Sequence, residues 1–582
     1  MHFHCQVFVI LICFVSSSLL CILLGPPFTR PAMKESNLPV LSTFEFPFPL
    51  PTWPPGGSFA RGYMDLGGLH VYQITTFKKI WAVYHGGLKD LGATFYEPSE
   101  IPEGFFMLGS YSQPNDQPLF GSLLVGKDVA NGTGQPETLK SPIDYTLVWS
   151  SELSKIRQSG PGYIWYPIPP DGYEAVGYVV TSASEKPSLD KIRCVRSDFT
   201  HDCDIEKWIW GESSSISADG FSAYSLRPSA RGTLDQGVPV GSFIFMKNWD
   251  ADALTSVSCL KNNNFSLFSI ESTPNLRQIH ALFQTYAPLI YFHPQETYLP
   301  SSVNWFFSNG ALLYTKGQES TPSPIKSQGE NLPQGGLDDG RYWLDLPADE
   351  TSKEKLKRGN FPGSKAYLHV KSMFGGTYSD IVIWIFCPFN GPGMLKFGPI
   401  DISLSKLGEH VGDWEHMTLR ISNFNGMLQK VFFSQHSSGT WIDASILEFQ
   451  NGSNKFVAYS SLHGHAFYSK PGLDLQGAAG FGIRNDMAKS NLILNTGDRY
   501  VIVSADYLSP PIVKPPWLYY AREWGPRVTY NLGLLVKFVE NILIGVYKSI
   551  FQSLVNLFPN ELFGEEGPIG PKMKRNWKKD EL

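Results

Sequence analysis

Short apolar runs alternate with glycine- and proline-bearing turns through residues 40–250: HVYQI, ATFYE, GSLLVG, YTLVW, GYVVT and GSFIF. Runs of that length, rich in aromatic and β-branched residues and closed by turn formers, predict strands. Residues 102–109, PEGFFMLG, and 170–177, PDGYEAVG, share a Pro-x-Gly-aromatic-x-x-apolar-Gly pattern. One duplicated β-unit explains the echo, its glycines turning the chain and its aromatic entering the core. A β-prism or sandwich-like region with a structural or binding role is expected here.

Residues 280–530 carry longer strand patterns. YAPLIYFHPQETYLPSSVNWFF reads as a strand, a turn with His293 and Glu296, and an aromatic segment. Residues 316–340 are polar and rich in Gly, Pro and Ser, predicting a long loop or insertion. DIVIWIFCPFNGPG, residues 380–393, is continuously apolar up to a turn, as a central strand is. MTLRI, from Met417 to Ile421, alternates apolar and polar, as a half-buried strand does. The fold expected is mainly β: the prism or sandwich-like region, then a β-sandwich over 280–530.

Three segments break that pattern. QVFVILICFVSSSLLCILL, residues 6–24, holds no charge and spans about 28 Å as a helix, so residues 1–25 read as a signal peptide or membrane anchor. An extra stretch before a soluble protein beginning near Met33 is the alternative. Over residues 531–558, Lys537, Glu540, Asn541, Lys548 and Gln552 share one side at helical spacing, predicting an amphipathic helix. Such a helix docks on its own domain or lies on a membrane surface. The polar tail, 559–582, ends in KDEL, a receptor-read address for return to the endoplasmic reticulum when the terminus is lumenal.

Composition agrees with strands and turns: 14% of residues are aromatic, only 17% are charged, and Gly and Pro number 54 and 43. The net charge of −5 favours no nucleic-acid partner. The seven cysteines form no CxxC pair, so no zinc–thiolate site is expected. Cys194 and Cys203 are near enough for a hairpin disulfide; two reduced, buried thiols are the alternative.

The candidate chemistry lies in HVGDWEHMTLRI, residues 410–421. Strand period two puts Asp413 and Glu415 on one face and Trp414 on the other. His410 stands three residues before Asp413, so an imidazole and two carboxylates can converge. Hard donors of this kind suit Mg²⁺, Ca²⁺ or Mn²⁺. His416 shares the face of Trp414 and is not expected to ligate. His463 and His465 flank Gly464 and can face one site, where either imidazole could act as a base. The alternative is that these histidines hydrogen-bond buried loops. No nucleophile triad, phosphate loop or dinucleotide fingerprint accompanies them.

The chain resembles the plant vacuolar protein sorting-associated protein 62 family. The resemblance spans residues 45–578 and rests on TTFKKIWAVYHGGLKDLGATFYEP, IPEGFFMLG, RCVRSDFT, RPSARGTLDQGV, YAPLIYFHPQETYLPSSVNWFF, VGDWEHMTLRI, YSSLHGHAFY and PKMKRNW. It implies a link to vacuolar protein sorting and no reaction. Locally, the H-x-x-D-W-E segment is similar to that of necrosis-inducing, NLP-like cytolysins, which bind a divalent ion there on a β-sandwich. That similarity implies His410, Asp413 and Glu415 as ligands. Asn390 is the nearest counterpart of a further aspartate in those toxins, and its neutral amide holds a cation less tightly than a carboxylate. It also implies a lipid head group or glycan as ligand.

The function expected is therefore non-enzymatic binding or trafficking, with sorting or membrane-associated protein partners. A metal-dependent hydrolase, with His463 or His465 as base, is the alternative; a lectin-like or membrane-active protein is the third reading. The compartment expected is the endoplasmic reticulum or a membrane if both ends function as signals, and otherwise the cytoplasm in membrane association.

Overall fold

The structure is a computed structural model. It describes residues 42–581 apart from 130–133, 135, 153, 212–220, 248–255, 266–271, 398–399, 405, 437, 479–480, 530–563 and 566. The apolar segment 6–24 and the amphipathic segment 531–558 lie outside the described residues. No helix of the described residues is long and apolar enough to cross a membrane.

A six-stranded sheet carries the H-x-x-D-W-E motif. Its strands are β1 (Ala366–Met373), β2 (Tyr378–Asn390), β3 (His410–Ser422), β4 (Leu428–Gln435), β5 (Ser438–Asp443) and β6 (Tyr500–Ser504). They lie in the order β5-β4-β3-β2-β1-β6, antiparallel except for the β1–β6 pair. β2 is buried on both faces, which is why its sequence is continuously apolar. Ile381, Ile383 and Ile385 enter one core with Met417, Leu419 and Ile421 of β3. Val382, Trp384 and Phe386 enter a second core with Trp414, Trp517 and Trp524.

The helix Leu276–Tyr286 covers the first core. Asn275 caps it, accepting from Gln278 N, while the Gln278 side chain accepts from Asn275 N. Ile279, Leu282, Phe283 and Tyr286 recur at helical spacing and are fully buried. Residues 316–340, expected as a loop, contribute Ile325 and Leu332 to the second core. Apart from the short strand Ser323–Pro324, paired with Leu312 and Leu313, the segment is turns and loop, and it packs into the core.

Residues 69–261 repeat one six-strand unit three times. In each copy the second, third and fifth strands form a three-stranded sheet: Phe77–Val83, Ala93–Pro98 and Tyr111–Pro114; Asp144–Ser150, Tyr163–Ile168 and Val179–Thr181; Cys203–Gly211, Phe221–Pro228 and Phe243–Lys247. In each copy the sixth strand pairs with both the first and the fourth. The three sheets enclose one core holding Trp81 and Phe95, Ile164 and Tyr178, and Trp210 and Phe243, the arrangement of a β-prism. Gly104 and Gly172, equivalent in the two legible repeats, both have φ of 79°, a left-handed turn that favours glycine. Gly109 and Gly177 meet at the centre, where a Cβ on either would strike Ser242 of the third copy.

Cys203 and Cys259 form a disulfide that ties the second strand of the third copy to its sixth. The Cys194–Cys203 pairing expected from proximity is thus incorrect: Cys194 is a buried free thiol in the second copy's closing strand.

Candidate functional site

The end of β2 and the start of β3 form one wall of a cavity of about 360 Å³. Asn390, His410, Asp413 and Glu415 all line it, and Asn390 is directly paired with His410 across the two strands. Gly412 permits this approach. Its φ is 79°, and its bare Cα passes the backbone carbonyl of Trp524 where a Cβ would collide. The opposite wall comes from the strands Gly472–Ala478 and Phe481–Met487, which bring Gln476, Arg484 and Asn485. His463 and His436 line the rim, and residues 567–569 and Lys574 close one side.

His410 Nδ1 is buried without a hydrogen-bond partner. Asp413 accepts from His465 through Oδ2, and Glu415 accepts from Ser434 through Oε2. The Asn390 amide donates to the carbonyls of Gly391 and Gly408, at 3.0 and 2.6 Å, which turns its oxygen away from them. Burial, reinforced by the neighbouring Asp413 charge, pushes the Glu415 carboxyl up to about 8. A buried Asp413 beside a half-buried Glu415 is costly unless a proton or cation joins them.

His465 lies behind this wall and is 1% exposed. Its Nδ1 is 2.8 Å from Asp413 Oδ2 and its Nε2 is 2.7 Å from the Tyr298 carbonyl. Both partners are acceptors, so both ring nitrogens must carry protons. Burial alone would depress its pKa; the hydrogen bond to Asp413 and the Glu296 charge oppose burial and raise it well above the ordinary value. His465 is therefore a buried cation. With both ring nitrogens engaged by acceptors, neither offers a free lone pair in this arrangement.

Ligating atoms of Cys387, Asp413 and His465 lie within 4.8 Å of one another. The protonated imidazole makes that group an ion-pair cluster, with Cys387 as a neutral thiol that burial raises to about 11. His463 differs. Its backbone N–H donates to Glu296 Oε2 at 2.6 Å, and its Nδ1 lies 3.5 Å from Glu296 Oε1. Burial would raise the Glu296 pKa; the two histidines and three backbone N–H donors overcome it and hold the carboxyl down at about 2. His436, His463 and His465 all adopt left-handed backbone, with φ of 57°, 66° and 54°. Non-glycine residues in that region concentrate where surrounding structure imposes a geometry.

Sequence reasoning had placed His293 and Glu296 on a turn without a role. Glu296 holds the His463–His465 loop, and the remote turn pairing carried no spacing signal. Asn485 and Gln476 were also missed. Asn485 accepts from His436 Nε2 at 2.9 Å, while its Nδ2 and Gln476 Oε1 are buried without partners. His416 points away, its Nε2 lying 3.2 Å from Glu581 Oε2.

The sequence profile of vacuolar protein sorting-associated protein 62, Vps62, matches residues 40–581. The chain belongs to the Vps62 family. Vps62 similarity extends to a putative vacuolar protein sorting-associated protein, TDA6, of Saccharomyces cerevisiae, 25% identical over 199 residues. That match covers 30% of this chain and 41% of the yeast protein, so the chain spans about two fifths of its relative's length. Among solved structures, this Vps62 member is similar to GNIP1Aa from Chromobacterium piscinae, at 20% identity and a TM-score of 0.28, over 34% of this chain and 38% of that one. It is also similar to Necrosis and Ethylene inducing Protein 2 from the agent of cocoa's Witches Broom disease. There the identity is 12% and the TM-score 0.18, over 32% of this chain and 67% of that one.

Proposed function

We propose that this Vps62 member is a non-enzymatic binding protein of vacuolar sorting whose cavity holds a hard divalent cation, Mg²⁺, Ca²⁺ or Mn²⁺. His410 Nδ1, one oxygen each of Asp413 and Glu415, and the amide oxygen of Asn390 would hold the ion. The carrying observation is that His410 Nδ1 is buried and unpartnered on the same cavity wall as the two carboxylates. An ion there would neutralise the Asp413–Glu415 pair and leave positions open for a ligand, as oxygen-rich sites do. His465 and Glu296 position the wall and touch neither ion nor ligand.

The ligand belongs to a sorting or membrane-associated partner. Asn485 Nδ2 and Gln476 Oε1, unpaired on the facing wall, favour a hydroxyl-rich group such as a glycan or lipid head group. The metal-dependent hydrolase reading loses His465 as a base, which weighs for binding over catalysis. The family supports an endomembrane-related role.

Titration calorimetry of the full chain with Mg²⁺, Ca²⁺ and Mn²⁺ tests the reading, beside Asp413→Asn and Glu415→Gln. Saturable binding that the variants lose is the expected result. Identical titrations of all three proteins would overturn the ion. With an ion bound, glycan and head-group arrays identify the ligand class.

A further inference from the structure

The residues Lys579–Glu581 of the terminal KDEL are built into the fold. Asp580 and Glu581 are only 6% and 5% exposed. Alternate residues of β3 receive them. Arg420 donates to Asp580 Oδ1, Thr418 donates to Glu581 Oε1, and His416 Nε2 lies 3.2 Å from Glu581 Oε2. Asn576 adds two donations to the Glu581 carboxylate, at 3.1 and 2.9 Å. Lys371 is 1% exposed and donates to the carbonyls of Asn576 and Lys579, both at 2.9 Å. Trp577 stacks on His369 with ring centroids 3.7 Å apart.

The same segment reaches the prism. Asp580 N donates to the Arg231 carbonyl, Thr233 N donates to the Lys578 carbonyl, and Arg231 Nε lies 3.6 Å from Asp580 Oδ2. Arg231 belongs to the turn between the third copy's strands Phe221–Pro228 and Gly237–Val238. The tail therefore crosses from the sheet to the prism.

We infer that Arg231, Lys371, His416, Thr418 and Arg420 form a groove for an acidic peptide, occupied in cis by Asp580 and Glu581, and that this occupancy keeps the segment closed to a partner that reads its carboxylates. Charge makes the occupant specific. Arg420 is fully buried and keeps only Asp380 when Asp580 leaves; Lys371 loses both its acceptors when the tail leaves. Buried cations without acceptors are unfavourable, so the groove prefers a carboxylate-bearing chain. A partner reading these carboxylates needs them free, and each is already engaged by the fold.

An antibody against the linear KDEL peptide tests this on the full chain. Capture of native protein is compared with capture of urea-unfolded protein diluted just before binding. A native control carries a second KDEL on a flexible Gly/Ser extension after residue 582. Native wild-type protein should be captured at least about tenfold less than either comparator, since bound-state closure opposes recognition. A smaller difference overturns the inference, because the tail would then be open in solution.

Discussion

His465 Nδ1 sits 2.8 Å from Asp413 Oδ2, joining a loop histidine to a carboxylate 52 positions earlier in the chain. The Tyr298 carbonyl on its other nitrogen makes the imidazole a permanent donor. Replacing it by His465→Gln leaves Asp413 buried with a neutral partner and only one donor direction. The expected loss is about 3–5 kcal/mol, the cost of breaking a buried pair from one side. Urea unfolding measures it, and a loss below about 1 kcal/mol would place the pair among weak surface contacts.

Gly412 sets the motif's approach through its φ of 79° and its contact with the Trp524 backbone. Gly412→Ala adds strain and a collision together. Its expected cost is about 1–3 kcal/mol, with displacement of Asp413 and weaker divalent binding. Thermal unfolding and calorimetry of the variant read both effects; unchanged ion affinity would separate the glycine from the site.

Burial opposes ionisation of Glu581, yet His416, Lys371 and Thr418 hold its carboxyl at about 2, below the ordinary 4.5. A depressed carboxylate stabilises the fold above its unfolded pKa, and that contribution fades as pH falls from about 4.5 towards 2. The full contribution is about 3 kcal/mol. Glu581→Gln should therefore lower stability near neutrality and narrow the gap to wild type at about pH 3. A gap independent of pH would mean that the charge contributes nothing.

The Cys203–Cys259 disulfide closes a sequence separation of 56 residues. Loop closure of that size corresponds to about 4 kcal/mol in the chain-entropy account. Cys203→Ala with Cys259→Ala should lower the prism's unfolding temperature, and a reductant should have no effect on that variant. Alkylation after unfolding should label Cys194 and Cys387 but not Cys203 or Cys259 in the unreduced protein; labelling of all four would exclude the disulfide.

Parts of this arrangement were legible residue by residue. The alternation in MTLRI reports β3 because one side of that strand meets a core, where Met417, Leu419 and Ile421 lie. DIVIWIFCPF reports a strand buried on two sides. Two prism copies showed themselves through Pro-x-Gly, since both turns need the same left-handed glycine. The third copy has no such signature, and its equivalence lies in strand pairing alone. The helix Leu276–Tyr286 went unnoticed between the two β patterns, although its apolar spacing was present. His465 was legible as a histidine near a site, but its protonation depends on acceptors from two distant segments.

The sequence alone determined a β-rich Vps62 chain, its strand alternation, its turn glycines and the order of residues in H-x-x-D-W-E, because these follow from local sterics and the period of side chains along a strand. Tertiary structure alone decided which histidine is a cation, which cysteine pairs with Cys203, and that a carboxylate from the last residues stabilises Arg420. Those outcomes depend on distance between remote segments and on removal from water. Burial turns a weak exposed attraction into a strong constraint, and no local pattern records which distant group will meet it.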